Sequence, residues 1–192
     1  MLFNRLMIRR YVEIPARACK AADPHHLNLG MRYAWISNED LLEGCEAFDV
    51  FSINCYQFQP DRALIERISK RLKRPVMIGE YHFGAADSGL PAYGIRAVAT
   101  QPDRGLAYRY YVEQAAAIPE LIGVHYFQLN DQTVLGRFDG ENYQIGVVDV
   151  CQRPYQAFVE QMKIAHQNMY EVRTGRIDPF TQAPEEIPKT GF

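Results

Sequence analysis

Glu80 has the clearest chemical potential in this sequence, because its carboxylate lies near the end of the apolar run VMIGEYHF at residues 76–83. A charged carboxylate beside a hydrophobic strand costs free energy unless other groups hold it. Such a residue is therefore either a structural ion-pair partner in the core or a participant in chemistry. If side chains alternate strictly between the two faces of a strand, Glu80 shares a face with Ile78 and His82, and Tyr81 lies on the other.

Polar and aromatic residues also end two neighbouring apolar runs. Asn54 and Tyr56 close the run FDVFSINCY at residues 48–56, and Tyr126 and Gln128 lie near the end of LIGVHYFQL at residues 121–129. Rings for the C–H faces of a sugar, together with amide and carboxylate groups for its hydroxyls, are typical of a carbohydrate site. We therefore expect these groups to converge with Glu80 in one cleft.

Helices and strands must alternate along the chain to present these groups at one edge. The patterns predict helices at residues 2–21, near 37, 61–73, 103–117 and 154–170, and strands at 26–33, 48–56, 76–83 and 121–129. Asp61 and Asp103 are the expected caps of their helices. Alternating elements of this kind indicate a parallel sheet built from βαβ units.

Four such units form either half of a (β/α)8 barrel or a small doubly wound sheet. Two features favour the barrel. No glycine-rich phosphate-binding turn follows any of the strands. The segments that follow the third and fourth strands, residues 84–102 and 130–153, are long and polar, and barrel active sites are built from the loops after the strands. The predicted fold is thus α/β, half of a TIM barrel.

The composition excludes several other classes of protein. The net charge is −2 and 47% of residues are hydrophobic, so nucleic-acid binding and intrinsic disorder are not expected. No run reaches the roughly 20 apolar residues of a membrane span, and the first ten residues lack the pattern of a signal peptide. The four cysteines form no C-x-x-C pair.

Histidines raise the alternative of a metal-dependent hydrolase. His82 lies within the third strand and His125 within the fourth. His25 and His26 precede the first strand and belong to the opposite edge of the sheet. Two histidines do not make a zinc site, so the expectation is that the protein uses neither metal nor cofactor.

The segment RPVMIGEYHFGA at residues 74–85 resembles the retaining glycosidases of clan A, and among them the β-agarase-like family. DPHHLNLGMRYA at residues 23–34 is similar to that family's fifth strand. FDVFSINCY resembles the sixth strand, and residues 123–150, which contain GRFDGENYQIG, resemble the eighth strand and its loop. The resemblance covers about residues 8–173 and implies strands five to eight of the barrel with their helices.

The resemblance implies a retaining mechanism on the β-galactosidic bonds of an agar-type polysaccharide. Two carboxylates about 5–5.5 Å apart carry out that reaction, one as nucleophile and one as acid and base. Glu80 matches the nucleophile, and no residue of this chain matches the acid/base glutamate. The resemblance further implies substrate contacts from a set of polar and aromatic side chains: Asn54, Tyr56, His82, Tyr126, Gln128, Asp131, Arg137 and Glu141. For the residues of the last loop, a stabilising ion-pair network is an equal alternative.

These considerations give a partial barrel domain at residues 1–173 and a tail at residues 174–192. The expected partner is an oligo- or polysaccharide, with no nucleic acid and no membrane. A complementing amino-terminal half barrel, or a second copy, would close the half barrel. Relatives of full length are expected to be secreted or periplasmic. Two alternatives are a non-catalytic sugar-binding or self-associating protein, and catalysis with Glu141 or Asp131 as a replacement acid.

Overall fold

The structure is a computed structural model that describes residues 2–188. The chain forms two compact units. The first takes the chain through Cys55, with Asp61–Gly79 and Glu120–Gly123, and the second takes Tyr56–Pro60, Glu80–Pro119 and the chain from Val124 onward.

A four-stranded sheet forms the framework, with its strands in sequential order: β1 (Arg32–Tyr33), β2 (Phe51–Ile53), β3 (Val76–Tyr81) and β6 (Leu121–Tyr126). The pairs β1–β2 and β2–β3 are parallel, and their register places Ser52 beside both Arg32 and Met77. Two shorter strands, β4 (Gly84–Ala85) and β5 (Ala97–Val98), form a separate parallel pair. The α/β class and the parallel sheet are thus confirmed.

The four predicted long helices are all present: α1 (Leu2–Ala22), α2 (Arg62–Leu72), α3 (Gln101–Ala116) and α4 (Gln156–Arg173). The side chain of Asp61 caps α2 by accepting from the Leu64 amide at 3.0 Å, as predicted. The predicted cap of α3 is wrong. Thr100 is the cap, and Asp103 is its partner three residues later, with the hydroxyl donating to the carboxylate at 2.6 Å.

Three short elements differ from the predictions. Two 3-10 helices, Glu39–Leu42 and Cys45–Ala47, occupy the region where a helix was predicted near residue 37, and Asn38 caps the first. The strand predicted at 26–33 shrinks to two residues. Asn28 turns the chain by accepting from the Gly30 amide at 2.9 Å. Glycine is required at position 30, because φ is +70° and a Cβ there would collide with the Phe48 ring.

Each unit has its own core. In the first, Ile65 and Ile68 of α2 and Phe51 and Ile53 of β2 are fully buried. In the second, α3 and α4 pack against each other, and the rings of Tyr81 and Tyr111 stack 4.0 Å apart. Within residues 2–188, no helix is both long and apolar enough to cross a bilayer.

Residues 174–192 were predicted to be a tail, and their described part does pass the end of α4 without regular structure. It is nevertheless attached to the second unit. The Phe180 amide donates to Glu113 at 2.8 Å, and the Ile187 amide donates to the Ala97 carbonyl at 3.0 Å. Residues 189–192 lie outside the described range.

Candidate active site

Glu80 is the last residue but one of β3, and its side chain is partly exposed. The Tyr56 hydroxyl donates to its Oε2 at 2.6 Å. A hydrogen bond of this length to a carboxylate fixes the orientation of the acceptor. The structure therefore presents a held carboxylate at the carboxyl end of a strand.

The exposure of β3 does not follow strict alternation. Met77 and Glu80 are both partly exposed although they are three residues apart, whereas Ile78 and Tyr81 are buried. Exposure along β3 therefore does not follow the period of two that strict alternation would give to a strand with one exposed face. The common face of Glu80 and His82 with Ile78 stays a prediction.

Tyr56 is fixed on two sides. Arg96 donates from Nε to the Tyr56 carbonyl oxygen at 2.7 Å. The Tyr56 ring meets the His82 ring edge-on, with centroids 4.8 Å apart. Because both its backbone and its ring are held, the phenol hydroxyl reaches Glu80 from a defined position.

His82 lies behind this surface, with only 2% of its area exposed. Its Nε2 accepts from the Ile95 amide at 2.9 Å, which requires that nitrogen to be unprotonated. Burial, and then the charge of Arg104, lower the pKa of His82 to about 3. The neutral ring thus anchors the loop that carries Ile95. In this structure the ring is covered, so its direct contact with substrate stays a prediction.

Tyr126 is held by both its ring and its hydroxyl. Its ring packs with Tyr81, Tyr108 and Phe158, at centroid distances of 5.3, 5.6 and 5.5 Å. Its hydroxyl accepts from Arg104 at 2.9 Å and lies 2.9 Å from the Ile145 carbonyl oxygen. Its ring packing and hydroxyl bonds give Tyr126 a structural role, while the residue stays partly exposed. Its role as a platform for the sugar stays a prediction.

Two partly exposed rings on the other side of the strand end were missed. The Phe127 amide donates to the Tyr81 carbonyl oxygen at 2.8 Å, next to Glu80 in the chain, and its ring centroid is 6.3 Å from that of His82. Tyr143 approaches His82 at 6.1 Å, and burial, then Glu141, raise the pKa of its phenol. Phe127 directly follows Tyr126 in the apolar run 121–129, so the only sequence signal for it was an aromatic residue at a strand end.

The loop after β6 is organised by Asp131. This buried carboxylate accepts from the Gly146 amide at 2.7 Å and from the Tyr155 hydroxyl at 2.6 Å. Burial, then the bond to Asp131, raise the pKa of Tyr155. Both oxygens of Asp131 are bound inside the loop. Its contact with substrate and its role as a replacement acid stay predictions.

Arg137 and Glu141 form the ion-pair network that was the alternative to substrate contact. Arg137 bonds to Asp139 at 2.7 Å and lies 3.3 Å from Glu141, which also accepts from Gln132 at 2.8 Å. Both residues remain partly exposed, so substrate contact there stays a prediction. The adjacent loop tip exposes Phe138 almost completely, at 98%.

The remaining predicted residues border strand ends. Gln128 is partly exposed and donates to the Asn130 carbonyl oxygen at 3.1 Å. Asn54 belongs to the first unit, where its amide donates to the Tyr33 carbonyl oxygen at 2.7 Å. Their contacts with a sugar stay predictions.

A metal site was the alternative raised by the histidines. His82 is buried, whereas His125 is exposed. Among the side chains of residues 2–188, no group of three or more histidines, cysteines or acidic residues is arranged to hold an ion.

No family model matches the chain. The chain is 34% identical to β-agarase B of a Vibrio species (strain JT0107) over 171 residues, which are 88% of this chain and 18% of the relative. It is 33% identical to β-agarase A of the same strain over 182 residues, which are 91% of this chain and 18% of that relative.

Among solved structures, an exo-β-agarase superposes with a TM-score of 0.83 at 33% identity, over 89% of this chain and 23% of the other. The sequence thus spans about a fifth of the length of the relatives it matches. Over nearly all of its own length, the chain is homologous to one segment of the β-agarases.

Proposed function

We propose that this chain forms part of a retaining glycoside hydrolase that cleaves β-galactosidic bonds in an agar-type polysaccharide, with Glu80 as the nucleophile. The observation that carries the proposal is the partly exposed carboxylate of Glu80 at the end of β3, bound by the Tyr56 hydroxyl at 2.6 Å. Homology to β-agarases along the same segment supports the choice of bond and substrate.

The proposed reaction begins with attack of a Glu80 oxygen on the anomeric carbon, forming a glycosyl-enzyme as the leaving oxygen takes a proton. Water then releases the sugar with its original anomeric configuration. Tyr56 holds the carboxylate in its attacking orientation. The proton donor, which becomes the base for water, is a second carboxylate that this sequence does not supply.

The proposed fold is half of a (β/α)8 barrel, strands five to eight. The sequential order β1-β2-β3-β6, with a helix between successive strands beyond β2, supports a barrel over a doubly wound sheet, whose strand order reverses. In this arrangement the amino-terminal half supplies the acid/base carboxylate and pairs with β1 and β6.

A chimera tests the proposal. Residues 8–173 replace the matching segment of Vibrio β-agarase B, and the release of reducing ends from agarose is measured. Activity is expected, and Glu80→Gln should reduce it by more than about a thousandfold, since the covalent step is lost. Glu160→Gln, on the exposed surface of α4, makes the same chemical change away from the site and is the matched control. A folded chimera whose activity survives Glu80→Gln contradicts the proposal.

A second candidate, self-association without catalysis, is favoured by α1. Its exposed apolar residues follow helical spacing along one side: Phe3, Leu6, Met7, Tyr11 and Ile14. Unpaired strand edges and uncovered apolar helix faces favour association. Analytical ultracentrifugation distinguishes the candidates. A stable dimer that binds agarose oligosaccharides without turnover, in the presence of an amino-terminal β-agarase segment, would favour this one.

A further inference from the structure

The segment Asp178–Pro188, here called the carboxyl-terminal strap, is anchored at its start by α3. The Phe180 amide donates to the buried carboxylate of Glu113 at 2.8 Å, and Gln114 donates to the Phe180 carbonyl oxygen at 2.9 Å. The guanidinium of Arg109 lies over the Phe180 ring, 4.4 Å from its centroid. Two backbone bonds and a cation–π contact fix this end of the strap.

The other end of the strap runs beside β5. The Ile187 amide donates to the Ala97 carbonyl oxygen at 3.0 Å. The Tyr93 hydroxyl donates to the carbonyl oxygen of Pro188 at 3.4 Å. Between them, Glu186 accepts from Arg96 at 2.6 Å. The strap therefore holds the loop that precedes β5 by backbone and side-chain bonds together.

Arg96 connects the strap to the candidate site. While one nitrogen binds Glu186, its Nε donates to the Tyr56 carbonyl oxygen at 2.7 Å, and the Tyr56 hydroxyl binds Glu80 at 2.6 Å. The planar guanidinium makes both bonds in a fixed relation, which a lysine cannot reproduce. The backbone of Arg96 is itself held, since its carbonyl accepts from the Gly84 amide at 2.9 Å.

We propose that Glu186 and Arg96 are positioning residues, through which the strap sets where the Tyr56 hydroxyl meets Glu80. The catalytic consequence rests on the proposed function, whereas the link from strap to Tyr56 does not. The strap is thus a part of the site that lies well beyond the strands and loops that carry its chemistry.

Hydrogen exchange measured by mass spectrometry tests the link in the whole chain. Glu186→Gln should speed exchange about tenfold in peptides that cover residues 54–60 and 93–98. Glu185→Gln, which removes the neighbouring exposed carboxylate, should leave both peptides unchanged. Arg96→Lys should match Glu186→Gln, with unchanged helix content by circular dichroism. Equal exchange in the Glu186→Gln and Glu185→Gln variants overturns the proposal.

A double-mutant cycle tests the consequence for Glu80, read as the rate of its covalent labelling by a 2-fluoro-galactoside with a good leaving group. Glu186→Gln should slow labelling about tenfold when Tyr56 is present, and should have no further effect in Tyr56→Phe. If Glu186→Gln slowed labelling by the same factor with Tyr56 and with Tyr56→Phe, the proposal would be overturned. The effect would then reflect a general loss of order and not a path through Tyr56. If the parent chain is not labelled at all, the proposed function fails, and the exchange result alone decides on the strap.

Discussion

Tyr56 and Tyr126 both follow from the same sequence argument, yet the structure uses them in opposite ways. Tyr56 is partly exposed and gives its hydroxyl to Glu80 at 2.6 Å. Tyr126, also partly exposed, packs its ring among other aromatic rings, and its hydroxyl accepts from Arg104 and donates to a backbone carbonyl oxygen. Tyr56 therefore belongs to a site surface, and Tyr126 to the scaffold behind it. The type of residue and its position near a strand end do not distinguish the two roles; the contacts of each ring and hydroxyl do.

The scaffold region is centred on Arg104, a cation with no exposed surface. It donates to the carbonyl oxygens of Phe83 and Gly146, both at 2.6 Å, and its guanidinium lies 4.2 Å from the centroid of the Phe158 ring. These contacts join the ends of β3 and β6 to the loop after β6. The following predictions separate the scaffold region around Arg104 from the site surface around Tyr56.

The largest expected effect is that of Arg104→Met. Removing the guanidinium leaves several buried acceptors without a donor. The free energy of unfolding should therefore fall by about 3 kcal/mol or more. Urea denaturation followed by circular dichroism measures it. Arg17→Met, which alters an exposed arginine on α1, is the control and should change stability by less than about 0.5 kcal/mol. Similar losses of stability in the two variants would contradict the central structural role of Arg104.

His82 should make stability depend on pH. Its pKa is lowered to about 3 by burial, so between pH 6.5 and 3 the unfolded chain binds a proton that the native chain does not. Stability is therefore lost as the pH falls through this window, by about 2 kcal/mol between pH 7 and pH 5 from this residue. Urea denaturation at both pH values should show a smaller loss in His82→Gln. An equal loss in both proteins would mean that His82 is not held neutral.

The two tyrosines give the most direct contrast. Tyr126→Phe should lower the free energy of unfolding by about 1–2 kcal/mol, since Arg104 loses a partner. Tyr56→Phe should cost less than about 0.5 kcal/mol, because its hydroxyl lies at a partly exposed edge. Labelling of Glu80 should respond in the reverse order, slowing in Tyr56→Phe and not in Tyr126→Phe. If Tyr126→Phe slowed labelling more than Tyr56→Phe did, the division into surface and scaffold would be wrong.

Helices were the most predictable part of the fold, because their caps and apolar spacing are local. Asp61 illustrates this, whereas Thr100 shows that a competing acceptor nearby shifts a cap by three residues. Strand lengths were overestimated, since Asn28 and Gly30 turn the chain through side-chain bonds and a close approach to Phe48. Apolar content alone does not reveal such contacts.

For the site, the sequence led to Glu80 and Tyr56 but not to the groups that hold them. The ring contacts of Tyr126 with Tyr81, Tyr108 and Phe158 depend on packing between distant segments, which the sequence does not reveal. The burial of His82 and Asp131 likewise depends on partners distant in the chain, Ile95 and Tyr155. Arg96 and Glu186 are 90 residues apart and carried no local signal.

Covalent trapping tests the central claim most directly. A 2-fluoro-galactoside with a good leaving group needs little help from a general acid, so the chain can be tested as it stands. Intact mass and peptide mapping should find one sugar on the peptide that contains residues 76–83, attached to Glu80, and no adduct in Glu80→Gln. An adduct on another carboxylate, or an equal adduct in Glu80→Gln, would contradict the assignment of Glu80 as the nucleophile.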